Sequence, residues 1–134
     1  MREEKEMYNK SQIMKTAWSL FKSTGKSFSE CLHISWVAAK LMGMGGNLWE
    51  RYGKCRVYLD QGELLDLCGV NISFYKSGNI SVCEVGGEKA SNSDGRRWLN
   101  STSKVYYDLL DGKIYGQGEF FVDVKKAVKS RVSF

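Results

Sequence analysis

Residues 11–40 read Ser11-Gln12-Ile13-Met14-Lys15-Thr16-Ala17-Trp18-Ser19-Leu20-Phe21-Lys22-Ser23-Thr24-Gly25-Lys26-Ser27-Phe28-Ser29-Glu30-Cys31-Leu32-His33-Ile34-Ser35-Trp36-Val37-Ala38-Ala39-Lys40, and their spacing decides the fold. Ile13, Met14, Ala17, Trp18 and Phe21 recur three and four positions apart, with Lys15, Ser19 and Lys22 opposite, which is the pattern of a helix with one apolar face. Thr24-Gly25 ends it, because glycine accepts the left-handed conformation that closes a helix. Ser27 and Glu30 then stand at capping-box spacing. Phe28, Cys31, Leu32, Ser35, Trp36 and Ala39 form a second apolar stripe. Two amphipathic helices joined by a few residues make a helical hairpin at about 11–42, and both Trp18 and Trp36 are expected in its core.

Outward from the hairpin the pattern changes. Residues 2–9 are charged and read as frayed or loosely helical. Gly43-Met44-Gly45-Gly46-Asn47 cannot continue a helix, since each glycine costs about 1 kcal/mol there, so it reads as a connector or hinge. Beyond it Cys55–Leu59 is an expected strand and Glu63–Cys68 one or two helical turns. Val70–Tyr75 alternates apolar and polar residues, Lys76-Ser77-Gly78-Asn79 supplies a turn, and Ile80–Cys83 returns as a hairpin. Gly86-Gly87 marks another turn. Ser91-Asn92-Ser93-Asp94 offers helix caps before Arg96-Arg97-Trp98-Leu99. Residues 104–108 and 113–115 flank Leu109-Leu110-Asp111-Gly112 as a second hairpin, and residues 122–132 have helical spacing. The expected class is α+β: a helical region at 1–47 and a small α+β region at 48–134, forming one compact unit, with an antiparallel sheet drawn from 54–116.

Composition narrows the function classes. The chain has 134 residues, 43% hydrophobic and 26% charged, which is the make-up of a folded domain. No apolar run approaches the ~20 residues of a membrane span, and the charged start lacks a secretory apolar stretch. A soluble protein without export is expected. Twenty Lys and Arg against fifteen Asp and Glu give a net charge of +5. Such an excess suits either a polyanionic partner or an ordinary solvated surface. The four cysteines, at 31, 55, 68 and 83, lack the close pairing of a zinc site, and they read as reduced, half-buried thiols.

The residues of catalysis are scarce. His33 is the one histidine; it stands on the second helix, and no Cys-His arrangement is visible locally. Gly86-Gly87-Glu88-Lys89 is too short to be a phosphate-binding loop. The capping run before Arg96 and Arg97 suits an anion at a helix start or plain capping. No metal or cofactor is expected, and the reading is of a non-enzyme.

Binding is better represented. Four Trp and seven Tyr are many for this length, and Trp, Tyr and Arg dominate the energetic centres of protein interfaces. Tyr58, Tyr75, Tyr106 and Tyr115 fall on strands, interleaved with Arg56, Lys76, Lys104 and Lys113. An outward row of these would form a basic aromatic sheet surface, able to stack bases or to hold a protein that itself binds nucleic acid. The candidate partner-binding residues are Tyr75 and Lys76 at the glycine turn, Arg96 and Arg97 ahead of Trp98, and Lys104 with Tyr106.

Two blocks carry a family resemblance. One is Ile13–Lys22 with Phe28–Leu32 and Trp36–Lys40; the other is Ile72–Ser81 with Gly87–Ser93 and Lys104–Asp108. Together they resemble small accessory proteins carried by prophages and mobile elements of Gram-positive bacteria, and the helical block resembles one found in some anti-CRISPR proteins. The resemblance implies a non-enzymatic inhibitor acting in the cytoplasm of a bacterial host. Its implied partner is a host defence effector such as a CRISPR-Cas nuclease, blocked at its nucleic-acid site. The alternative is a nucleic-acid-binding accessory protein.

Overall fold

The computed structural model describes residues 9–133. The chain is α+β, with five helices and two antiparallel sheets among these residues. Helix α1 (Lys10–Thr24) is capped by Asn9, whose side chain accepts from the Gln12 N–H, and is closed by Gly25 at φ +75°. Helix α2 (Phe28–Gly43) starts at Ser27, whose hydroxyl oxygen accepts from the Glu30 N–H at 3.2 Å. The Glu30 carboxylate accepts from that same hydroxyl rather than reaching back to the backbone. The two helices pack as the expected hairpin. The expectation of a frayed or loosely helical start falls on residues outside the described ones, apart from Asn9.

The glycine connector is closely packed at Gly46. Gly46 donates to the Leu41 carbonyl at 3.0 Å, and a Cβ there would stand 2.8 Å from both Leu41 O and Val57 Cγ1. The chain thus passes from α2 directly into strand β1 (Asn47–Arg51), which the sequence reading did not anticipate. Tyr52-Gly53 turns it, both residues at positive φ, into β2 (Lys54–Tyr58). Helix α3 (Gln61–Leu67) follows. Strands β3 (Val70–Phe74), β4 (Ile80–Val85) and the short β5 (Glu88–Lys89) form a three-stranded meander. Helix α4 (Asn92–Thr102), capped by Ser91, then leads to β6 (Tyr106–Asp108), β7 (Lys113–Tyr115) and α5 (Phe121–Arg131).

One sheet was expected from 54–116, but there are two. The second has the order β1-β2-β6-β7, so β6 returns across α3, the meander and α4 to pair with β2. Sequence pattern marks strands but not which distant strand each one joins.

Register determines the faces. Leu48, Val57, Tyr107 and Ile114 lie in one cross-strand row, of which Val57, Tyr107 and Ile114 are buried. They share a core with Ile34, Ala38 and Leu41 of α2, Leu64 of α3, and Val124 and Val128 of α5. On the meander, Ile80 and Cys83 lie beneath α4, where Gly95 permits the approach: a Cβ there would be 3.0 Å from Ile80 Cδ1. Trp98 of α4 is 7% exposed and stacks on Phe120. It is a core residue and not an exposed anchor.

Helix α1 corrects the expectation for its apolar face. Ile13, Ala17 and Leu20 are buried, whereas Met14, Trp18 and Phe21 are exposed. On a helix these two sets diverge by roughly 100°, and the core takes the one containing Leu20. Likewise α2 buries Cys31, Ile34, Val37, Ala38 and Leu41, leaving Trp36 and Ala39 half-buried. No helix among the described residues is long and apolar enough to cross a membrane.

A candidate basic aromatic interface

The reverse of the buried row is a face of opposite character. Strand alternation places Tyr58, Tyr106 and Tyr115 in one outward row, joined end-on by Asn47. Trp49, Arg56, Asp108 and Lys113 form the next, and Arg51 with Lys54 the third. Tyr106 stacks on Tyr115 with ring centroids 5.3 Å apart and planes 20° from parallel. Tyr58 lies 5.3 Å from Tyr106 and meets Trp49 edge-on at 6.0 Å.

Arg56 is set into this array. Its guanidinium carbon is 4.2 Å from the Tyr106 centroid and 5.9 Å from that of Trp49. Its Nη1 donates to the Tyr58 hydroxyl at 3.0 Å, a bond that raises the already high guanidinium pKa. Its Nε is enclosed and has no acceptor. Ring faces fix the side chain, through the attraction of a cation for the electron-rich face of an aromatic. Asp108 stands opposite Arg56 in the ladder, but its carboxylate accepts from the Leu110 N–H at 2.8 Å and so starts the β6–β7 turn. The Tyr115 hydroxyl donates to Asp111, which pushes its pKa up to about 12. Four cations against Asp108 and Asp111 leave the face basic.

The six candidate residues fall into three places. Tyr106 lies at the centre of the face, and Lys104 is exposed just before β6. Tyr75, 62% exposed, and Lys76 stand at the β3–β4 turn on the other sheet. Arg96 and Arg97 are exposed on α4, which packs on β4. Arg97 donates to Asp94 at 2.7 Å and lies 3.5 Å from Glu119, so it is partly neutralised. The structure does not bring all six together.

Sequence reading missed Trp49 because it missed β1. The available signal was the two-residue turn at Tyr52-Gly53. Tyrosine is a poor residue for positive φ, where asparagine or glycine is usual, and this hid the hairpin.

The Cys55 thiol is pushed up to about 12 by burial and by Glu50, and burial likewise raises Cys68 and Cys83. All four cysteines are free thiols. His33 is exposed. Among the described residues, no three His, Cys, Asp or Glu side chains gather as a metal site would require. No known family model, curated protein or solved structure matches the chain.

Proposed function

We propose that this protein is a non-enzymatic inhibitor of the type carried by phages and mobile elements. It binds a host defence effector and blocks its nucleic-acid site, with a CRISPR-Cas nuclease as the first effector to test. The observation that carries this reading is Arg56, held between Trp49 and Tyr106 on an outward sheet face. A rigid cluster of Trp, Tyr and Arg is the composition of an interface centre, and rigidity lowers the entropy lost on binding. The cations Arg51, Lys54, Arg56 and Lys113 on the same face would pair with acidic side chains of the effector at the rim of that site.

The second reading, direct nucleic-acid binding, draws on the same tyrosines. It is less favoured because base stacking needs an open ring, whereas Tyr106 already faces Arg56 and stacks on Tyr115.

The test is capture of effectors from a host expressing its defence systems, followed by cleavage assays on what is captured. Arg56→Glu with Tyr106→Ala should weaken inhibition about a hundredfold. Arg96→Glu with Arg97→Glu reports whether α4 also touches the partner. Inhibition unchanged in the Arg56/Tyr106 variant excludes this face. Affinity for free oligonucleotide that falls steeply with salt, without inhibition, favours the second reading.

A further inference from the structure

Helix α1 carries a second apolar edge that the described residues leave uncovered. Met14, Trp18 and Phe21 stand at i, i+4 and i+7 and are 43%, 47% and 41% exposed. They are not loosely displayed. Trp18 lies against Phe28 of α2 with centroids 4.4 Å apart, and Phe21 meets both rings edge-on at 5.6 and 6.1 Å. Beside them runs a shallow groove lined by Ser11, Met14, Lys15, Trp18, Ser19 and Lys22. Among the described residues the helical hairpin is strongly basic. Helix α1 contains three lysines and no acid, and residues 10–46 hold five lysines against Glu30 alone. Most of the chain's net +5 therefore resides on the hairpin.

We infer that this edge of α1 is a docking site for an acidic amphipathic helix of a partner protein. It is separate from the basic aromatic face and independent of the function proposed for that face. Anchors at i, i+4 and i+7 match one seam of a helix laid alongside. Lys15 and Lys22 flank the seam on one side, where glutamates of the incoming helix would pair with them. A second copy of this chain is disfavoured, because its α1 would bring lysine against lysine. Insertion into a bilayer is disfavoured too. Such insertion buries a broad apolar face, and here Ile13, Ala17 and Leu20 are already taken by the core, leaving three apolar residues in a narrow seam.

The test uses the full chain and a labelled helical peptide of about five turns, with leucines along one seam and glutamates elsewhere, read by fluorescence anisotropy. Two control peptides, one with lysine for each glutamate and one a scramble of the acidic sequence, separate seam recognition from charge attraction. The acidic amphipathic peptide should bind with micromolar affinity, and at least about tenfold more tightly than either control. Trp18→Ser should weaken binding about tenfold, as should Lys15→Glu with Lys22→Glu. Arg56→Glu with Tyr106→Ala should leave it unchanged. Circular dichroism melts verify that each variant folds. Equal binding of the scramble, no binding of the acidic peptide, a dimer at micromolar concentration, or preferential binding of phosphatidylserine vesicles or of an oligonucleotide each overturns the inference.

Discussion

Arg56 reaches across its ladder to Tyr106 diagonally: the residue directly opposite Arg56 is Asp108, while Tyr106 is opposite Tyr58. Diagonal cross-strand neighbours lie within reach of long and aromatic side chains, and the guanidinium closes to 4.2 Å from the ring. A double-mutant cycle of Arg56→Ala and Tyr106→Ala, measured by urea denaturation, should give a coupling of about 0.5–1 kcal/mol. Strict additivity would mean the contact contributes nothing.

The two tryptophans Trp18 and Trp98 should separate sharply in stability. Trp98 is buried against Phe120, so Trp98→Ala should cost roughly 3–5 kcal/mol. Trp18 is half exposed, and Trp18→Ala should cost about 1–2 kcal/mol, the loss of its contacts with Phe21 and Phe28. Thermal melts of the two variants check the order; a hairpin unfolded by Trp18→Ala would contradict the exposed placement.

Gly46 should tolerate no side chain. Its missing Cβ makes room for Leu41 O and Val57 Cγ1, so Gly46→Ala should cost roughly 1–3 kcal/mol through overpacking. Gly25→Ala meets open space and carries only the left-handed strain, about 1 kcal/mol. Chemical denaturation of the two variants decides between a packed connector and a passive one.

Alkaline pH should destabilise the protein. The Cys55 thiol and Tyr115 hydroxyl are each raised to about 12, from ordinary values of 9.0 and 10.0. Between the unfolded and folded values the unfolded chain has released protons that the native one retains, so unfolding gains as pH rises. The stability these groups contribute is complete below about pH 9 and is lost up to about pH 12. Melting temperature against pH should be flat from neutrality and then fall, and Cys55→Ser with Tyr115→Phe should reduce the fall. Native protein should also react slowly with thiol reagents at pH 8, because thiolate is the reactive form.

How far the sequence reveals this molecule depends on whether a feature is local. The α1–α2 hairpin, the Ser91 cap, the β3–β4 turn and the β6–β7 turn are each written within a few adjacent residues. The choice between Leu20 and Trp18 as the buried side of α1 is not, because both sets have helical spacing and only the shape of the opposing surface distinguishes them. The candidate site shows the same division. Tyr106 was legible as a strand aromatic beside basic residues. Its contact with Arg56 emerged only from the pairing of β2 with β6, and Trp49 only from the pairing of β1 with β2; the inner row of Val57, Tyr107 and Ile114 packs beneath both.

The strand order β1-β2-β6-β7 also has a temporal consequence. The hairpin and the meander close within neighbouring residues, and such contacts form fast. The pairing of Tyr58 with Tyr106 must instead close a loop holding α3, the meander and α4, at a cost that grows with loop length. During synthesis, Arg56 leaves the ribosome long before Tyr106, with Trp49 beside it but not yet the nearer ring. The α1 edge therefore exists early in the life of each molecule, and the basic aromatic face appears only near the end of translation. A nascent chain stalled after α4 would present the first surface without the second.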